Sequence, residues 1–296
     1  MRATRGHLVI IGGGEDREDD KAILTRIVAL AGGKKAKIVV LTTASRQAAL
    51  DPEVAKDIEA TYRKAFLACG AASVTALHLF DRQSANTAES AQAILNASCI
   101  FIAGGNQSRL VSIIGGTAVE RAMHTAYLEH GACISGTSAG ASAITEHMVA
   151  GGPSDPLPRK GLLPLAPGLG FLHHVIIDQH FSERQRLGRM LGVLAQNPFL
   201  MGIGIDEDTA LVVCPDATFE VVGSGAVTLI DGRDMDNRAF NEVEDGDPML
   251  LTDLRLHLLP TGFKFDLRKA RGVRDPNDPV ISVTFIDALA SIVGNC

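Results

Sequence analysis

The stretch ACISGTSAGASAIT, residues 132–145, places a short apolar segment directly before a turn of small residues and a helix-like segment. The turn has the spacing G-x-S-x-G, with Ser138 between Gly136 and Gly140. A nucleophile at such a junction takes a strained backbone conformation, and only small residues two positions away on either side let the turn close. The stretch predicts an α/β fold with Ser138 at a strand end as the nucleophile of a hydrolase.

The same turn has a simpler interpretation, because small residues also let a helix pack closely against a strand. In a chain with 30 glycines, the G-x-S-x-G spacing is weak by itself and needs partner groups. One partner is close by. The backbone N–H of Ala139 lies at the expected start of the helix, where it would point at the oxyanion that forms during acyl transfer.

A second glycine-rich turn offers another backbone donor. The buried-strand pattern Cys99–Ala103 ends in Gly104-Gly105-Asn106-Gln107, so the N–H of Gly105 or of Asn106 is a candidate for the second oxyanion donor. This turn is also an ordinary strand ending, in which Gln107 caps a helix.

Among nine histidines, His180 is the candidate base. It follows the strand-like run Val175–Ile177 and precedes a helix start expected at Ser182, so it is predicted on the same rim of the sheet as Ser138. The third member of a triad should be an acid on a neighbouring strand end. The run Asp206-Glu207-Asp208 supplies three candidates, and alternation does not choose among them.

The arrangement of apolar segments predicts the fold class. Short apolar runs alternate with helix-like stretches such as Pro52–Ala68, which is typical of a mostly parallel central sheet with helices on both faces. After Gly202, runs of Val, Ile and Thr separated by tight turns predict antiparallel strands, expected to extend that sheet over residues 208–296. The proline-rich segment Gly151–Gly170 is predicted to be a surface loop near the site. No linker divides the chain, so residues 1–296 are expected to form one domain.

Composition argues against several function classes. The net charge of −6 arises from 28 basic and 34 acidic residues mixed along the chain, so no nucleic-acid partner is expected. The apolar run Leu8–Ile11 is too short for a signal peptide or a membrane span. Five scattered cysteines without a C-x-x-C pair favour a reduced cytoplasmic protein and predict neither zinc nor an iron–sulfur cluster.

Three arginines follow His180, namely Arg184, Arg186 and Arg189. At a helix start they oppose the helix dipole, so they are not explained by helix stability. A guanidinium binds carboxylates in a two-pronged fork, which predicts an acidic substrate. The alternatives are a solvated basic face or a pair with Glu183.

Four stretches together resemble one family, the cyanophycinases of the aspartyl dipeptidase-like serine peptidases. They are Gly104–Gln107, Gly136–Ala141, Asp178–Arg189 and Gly202–Glu207. The resemblance implies a class I glutamine amidotransferase-like fold in a cytoplasmic homodimer. The activity that it implies is exo-hydrolysis of cyanophycin, a poly-aspartate chain that bears arginines, into β-aspartyl-arginine dipeptides, without metal or cofactor.

The resemblance also assigns roles by position. Ser138 matches the nucleophile, His180 the base and Glu207 the acid, a choice that the residues alone leave open. The substrate pocket is matched by Gln107, Asp178, Gln179, Arg184, Arg186 and Arg189. Three alternatives remain: a dipeptidase for isoaspartyl or α-aspartyl dipeptides, a non-catalytic binding protein on the same scaffold, and a metal site formed by Asp178, His180 and Glu207.

Overall fold

A computed structural model describes residues 5–266 and 283–293 of the chain. The strands in chain order are β1 (Leu8–Ile11), β2 (Lys37–Leu41), β3 (Ser73–Leu77), β4 (Cys99–Ile102), β5 (Cys133–Thr137), β6 (His147–Val149), β7 (Leu165–Pro167), β8 (Val175–Gln179), β9 (Met201–Ile205), β10 (Thr209–Val213), β11 (Thr218–Gly223), β12 (Ala226–Asp231), β13 (Arg255–Pro260) and β14 (Lys264–Asp266). The helices are α1 (Ala22–Leu30), α2 (Arg46–Leu50), α3 (Pro52–Ala68), α4 (Ala88–Leu95), α5 (Gln107–Ile114), α6 (Ala118–Leu128), α7 (Ala139–Ala143), α8 (Leu187–Gln196) and α9 (Val283–Val293).

Eight strands form the main sheet in the order β14-β11-β10-β1-β5-β4-β2-β3. The five strands from β1 to β3 in that order are mutually parallel. β10, β11 and β14 continue the sheet beyond β1 as antiparallel strands. The predicted α/β class, a mostly parallel sheet with an antiparallel extension, is confirmed.

Helices cover both faces of this sheet, as the continuous apolar runs of its strands require. Alternation along β1 sends Val9 and Ile11 toward α1 and α3, which bury residues such as Ile27 and Phe66 on that side. Leu8 and Ile10 face the opposite core, which α4, α5, α6 and α7 help to close. The helix predicted over Pro52–Ala68 is α3, with the same bounds.

A second sheet, in the order β13-β12-β9-β8, was not predicted. β12 was expected to extend the main sheet, and that expectation is wrong. At the end of β11, Gly223 has φ 116, and a Cβ there would lie 1.9 Å from the Asp208 carbonyl oxygen. After Gly223 the chain passes close to residues 208–209 and leaves the main sheet, and β12 pairs with β9 instead. The local sequence pattern identifies a strand but not the strand with which it pairs.

Two further segments differ from the sequence-based expectation. The helix expected from Ser182 begins only at Leu187, because residues 181–185 form turns and Gln185 has φ 51. Gly151–Gly170 is not entirely a loop, since β7 within it pairs with β6. The predicted extension over residues 208–296 also contains helix α9, and its residues 267–282 and 294–296 lie outside the described residues.

Candidate active site

Ser138 occupies a sharp turn between β5 and α7, with φ 52 and ψ −111. Both flanking glycines are sterically required. A Cβ on Gly136 would lie 2.5 Å from the carbonyl carbon of Gly140, and a Cβ on Gly140 would lie 2.4 Å from the Ile102 carbonyl oxygen. The strained conformation and the need for small neighbours are as the spacing predicts.

Three side chains form a connected chain of hydrogen bonds at this turn. Ser138 Oγ lies 2.9 Å from His180 Nε2, and His180 Nδ1 lies 2.5 Å from Glu207 Oε1. His180 is nearly buried, with 10% of its side chain exposed, whereas Glu207 is 43% exposed. The order nucleophile, imidazole, carboxylate is that of a serine hydrolase triad.

The two acids beside Glu207 have other contacts. Asp206 Oδ1 accepts from the backbone N–H of Ser182, and its Oδ2 accepts from that of Ala226. Asp208 Oδ1 accepts from the backbone N–H of Asp16 at 2.8 Å. Of the three adjacent acids, Glu207 is therefore the one that contacts His180, a choice that the strand pattern could not make.

The loop that follows β1 connects all three parts of this site, and sequence reasoning missed it. Consecutive carbonyl oxygens accept backbone hydrogen bonds from the site, Ile11 from Ser138 at 3.0 Å, Gly12 from His180 at 2.8 Å and Gly13 from Asp208 at 2.8 Å. A Cβ on Gly13 would lie 2.4 Å from His180 Cε1. The signal was present, since three consecutive glycines, Gly12 to Gly14, follow a buried strand at the carboxyl edge of the sheet.

Two backbone N–H groups near Ser138 remain available. No hydrogen bond within residues 5–266 and 283–293 uses the N–H of Ala139 or of Gly105. The Asn106 N–H is engaged by the Ala44 carbonyl at 2.9 Å, which removes it as an alternative to Gly105. The turn that contains Gly104 and Gly105 lies next to Ser138, as a Cβ on Gly104 would be 3.5 Å from Ser138 Cβ.

The predicted pocket residues include a buried charge cluster at the end of β8. Asp178 is 1% exposed, and its two oxygens accept from Arg189 Nε and Arg189 Nη2, each at 2.6 Å, and from Arg186 Nη1 at 2.9 Å. Arg186 Nη1 also donates to the side-chain oxygen of Gln179 at 2.8 Å. Arg186 and Arg189 thus bind a carboxylate of the chain itself rather than facing solvent as a free pair.

This cluster carries one positive charge in excess, since two guanidinium groups share one carboxylate. Arg186 Nε is buried and has no hydrogen-bond partner among the described residues. Burial lowers the pKa of Arg186 from its usual value, opposed by the attraction of Asp178. A buried cation with an unused donor suits a ligand that carries negative charge.

The remaining predicted pocket residues, Arg184, Gln107 and Gln179, differ in their contacts. Arg184 is exposed, and no ion pair engages it in the described part of the chain. Gln107 Nε2 donates to the Val149 carbonyl at 2.8 Å, while the helix cap predicted as an alternative for Gln107 is made by Asn106. Gln179 Nε2 lies 3.4 Å from Ser142 Oγ, on the helix that Ser138 begins.

The alternative metal site of Asp178, His180 and Glu207 is not formed among the described residues. No group of three or more His, Cys, Asp or Glu side chains within them is placed to hold a metal ion. None of the described helices is both long enough and apolar enough to cross a membrane.

Comparison with known proteins places the chain in a family. Residues 8–221 match the model of peptidase family S51. The cyanophycinase of Trichormus variabilis is 34% identical over 266 residues, which cover 90% of this chain and 87% of the relative. The cyanophycinase of Geminocystis herdmanii is 36% identical over 262 residues, covering 88% and 94%.

A solved structure supports the fold at greater distance. The crystal structure of a peptidase from an acI-B1 Actinobacterium superposes with a TM-score of 0.68 at 20% identity, covering 89% of this chain and 98% of that one. Since the family model spans most of the chain and the curated relatives align over nearly all of it, the chain belongs to peptidase family S51 and is a serine peptidase.

Proposed function

We propose that this protein is a serine-type exopeptidase that hydrolyses cyanophycin to β-aspartyl-arginine dipeptides through an acyl-enzyme. The relatives that match it over most of their length are named cyanophycinase. The observation that carries the proposal is the chain of hydrogen bonds from Ser138 through His180 to Glu207. These three residues follow the carboxyl ends of β5, β8 and β9.

The geometry supports an acyl-transfer mechanism. Ser138 Oγ attacks the scissile carbonyl while His180 Nε2 takes its proton, and Glu207 holds the Nδ1–H of the imidazole and stabilises its charged form. The N–H groups of Ala139 and Gly105 donate to the oxyanion. His180 then returns the proton to the leaving amine, and water, activated by the same imidazole, releases the product and restores Ser138.

The charge cluster supports an acidic substrate. The excess positive charge on Arg186 and Arg189, together with the exposed Arg184, suits the free carboxylates of cyanophycin, which belong to its arginine residues because the aspartate side chains are joined to them. Gln107 and Gln179 are the uncharged donors and acceptors of the proposed pocket. Asp178 acts in this proposal by holding the two buried arginines, because both of its oxygens are already occupied by them.

We further propose a cytoplasmic homodimer. The chain has a mass of 31.2 kDa, so sedimentation equilibrium of the purified protein should give twice that mass. A mass equal to that of one chain would contradict the dimer without affecting the catalytic proposal.

The catalytic proposal is tested by replacing the nucleophile. Ser138→Ala should abolish release of β-aspartyl-arginine from purified cyanophycin, measured by chromatography of the soluble products. Ser112→Ala, an exposed serine on α5, is the matched control and should keep wild-type activity. Full activity in folded Ser138→Ala, checked by circular dichroism, would contradict the nucleophile.

Substrate class is tested in parallel assays of the wild type. Cyanophycin, isoaspartyl dipeptides and α-aspartyl dipeptides are supplied separately, and product release from cyanophycin should be the fastest. Activity confined to the dipeptides would replace the proposed substrate and leave the triad in place. No hydrolysis of any of the three would favour a binding protein on this scaffold.

A further inference from the structure

Glu15 is a buried carboxylate for which the proposed mechanism has no use. Only 4% of the residue is exposed, yet it lies four residues beyond the end of β1, directly after Gly14. Placing a carboxylate in the interior is costly unless hydrogen bonds replace its lost water. The burial of a carboxylate at this position therefore indicates a specific role for Glu15.

Two hydroxyl groups satisfy the carboxylate. Tyr62 of α3 donates its O–H to Glu15 Oε1 at 2.8 Å, and Thr137 donates to Glu15 Oε2 at 2.5 Å. Burial, and then the nearby Glu15, raise the pKa of Tyr62 well above its usual value, so its hydroxyl stays protonated and remains a donor. The two bonds differ in position, since Thr137 is the residue immediately before Ser138, whereas Tyr62 belongs to the helix layer.

The glycine loop, residues 12–14, touches the candidate triad, and Glu15 carries the first side chain that follows this loop. Gly13 and Gly14 have φ values of 101 and 60, and neither has a side chain that could hold the loop in place. Yet the Gly13 Cα adjoins the His180 ring, and a Cβ on Gly14 would lie 3.2 Å from Glu207 Oε2. A loop without side chains therefore needs an anchor at its end to keep these contacts.

We propose that Glu15 is a positioning residue for the peptidase reaction, which holds the glycine loop against Thr137 and thereby sets the distance between Ser138 and His180. This inference rests on the nucleophile proposed above. The hydrogen bond to Thr137 acts on the serine turn directly, and the chain from Glu15 back to Gly13 acts on the imidazole.

The test compares the two hydroxyl donors of the same carboxylate. Thr137→Val and Tyr62→Phe each remove one hydrogen bond to Glu15, so both should lower the thermal unfolding midpoint. Thr137→Val alone should slow the reaction of Ser138 with a fluorophosphonate probe and lower kcat by about 10- to 100-fold with little change in KM, because misplacement of reacting groups acts on the chemical step. Tyr62→Phe should stay close to the wild-type rate.

Two further variants complete the experiment. Thr137→Ser keeps the hydroxyl and should restore the labelling rate, while Glu15→Leu removes both accepting oxygens and should behave as Thr137→Val does. If Thr137→Val does not unfold cooperatively, Glu15→Leu is compared with Tyr62→Phe in its place.

The outcomes separate this inference from the catalytic proposal. If the probe labels Ser138 at the same rate in the wild type and in Thr137→Val, the positioning role of Glu15 is overturned, while the nucleophile proposal stands. Equal losses of rate in Thr137→Val and Tyr62→Phe would also overturn it, because the effect would then follow stability rather than geometry. No labelling of Ser138 in the wild type would contradict the nucleophile, and this inference with it.

Discussion

Three of the eight non-glycine residues with positive φ in the described part of the chain lie at the candidate triad or directly beside it. Ser138, His180 and Asp208, the neighbour of Glu207, have φ values of 52, 49 and 44. Each costs on the order of 1–3 kcal/mol for a residue with a side chain and persists only where the surroundings enforce it. Here the enforcing contacts are the carbonyl oxygens of residues 11–13, which bind the three amides in turn.

Gly13→Ala should therefore disable the site. A Cβ there would lie 2.4 Å from His180 Cε1, so the imidazole must move away from Ser138, and kcat should fall by roughly 100-fold. The matched control is Gly33→Ala, whose φ of 62 is also positive but whose Cβ would meet nothing within 4 Å. Steady-state assays of dipeptide release decide the matter. Comparable losses in both variants would show that strain, not contact with His180, is responsible.

At the scale of elements, strand β8 connects the candidate triad with the buried charge cluster of Asp178, Arg186 and Arg189. Its alternation turns Val175 and Ile177 toward the main core, while Ile176 packs on the α8 side. Asp178 continues the α8 side and meets Arg186 and Arg189 at the start of that helix. β8 thus leads directly into His180 and also holds the two arginines through Asp178, so the charge cluster and His180 are attached to the same strand.

Asp178→Asn should destabilise the protein markedly. Removing the carboxylate leaves two buried guanidinium groups without compensation, which typically costs about 3–5 kcal/mol. The measurement is the urea concentration at the midpoint of unfolding, monitored by circular dichroism. Glu53→Gln, which breaks an exposed pair with Lys56, is the control and should change the midpoint little. A small shift for Asp178→Asn would mean that water or another group compensates the arginines.

At the scale of the whole molecule, the parallel strands lie in the middle of a layered structure. Cys99 of β4 and Cys133 of β5 are direct partners in the main sheet, and neither is exposed. A hydrogen bond with Cys133, together with burial, raises the pKa of the Cys99 thiol well above its usual value. Both thiols are therefore shielded from reagents by α1 and α3, which pack on their face of the sheet.

These two thiols should report global unfolding. In a background with serine at Cys69, Cys214 and Cys296, labelling by an aromatic disulfide reagent should be negligible in buffer. Its rate should rise with urea in parallel with the global unfolding curve, since only opening of the central sheet exposes the two sulfurs. Rapid labelling in buffer would instead indicate local opening of β4 or β5.

The sequence by itself was sufficient where neighbours along the chain decide the structure. The turn at Ser138, helix α3 and the antiparallel strands after residue 208 follow from small residues, helical periodicity and alternation. His180 could be selected because it ends a strand-like run. Glu207 was assigned only through the family resemblance, since its two acidic neighbours have the same local pattern.

Tertiary structure decided what depends on residues distant in the chain. It placed β12 in a second sheet, where it pairs with β9, and it joined Arg186 and Arg189 to Asp178. It also brought Glu15 to Thr137, 122 positions away. Periodicity specifies which face of an element is apolar, but the partner of a strand end, a charge or a hydroxyl is set by the packing of the layers.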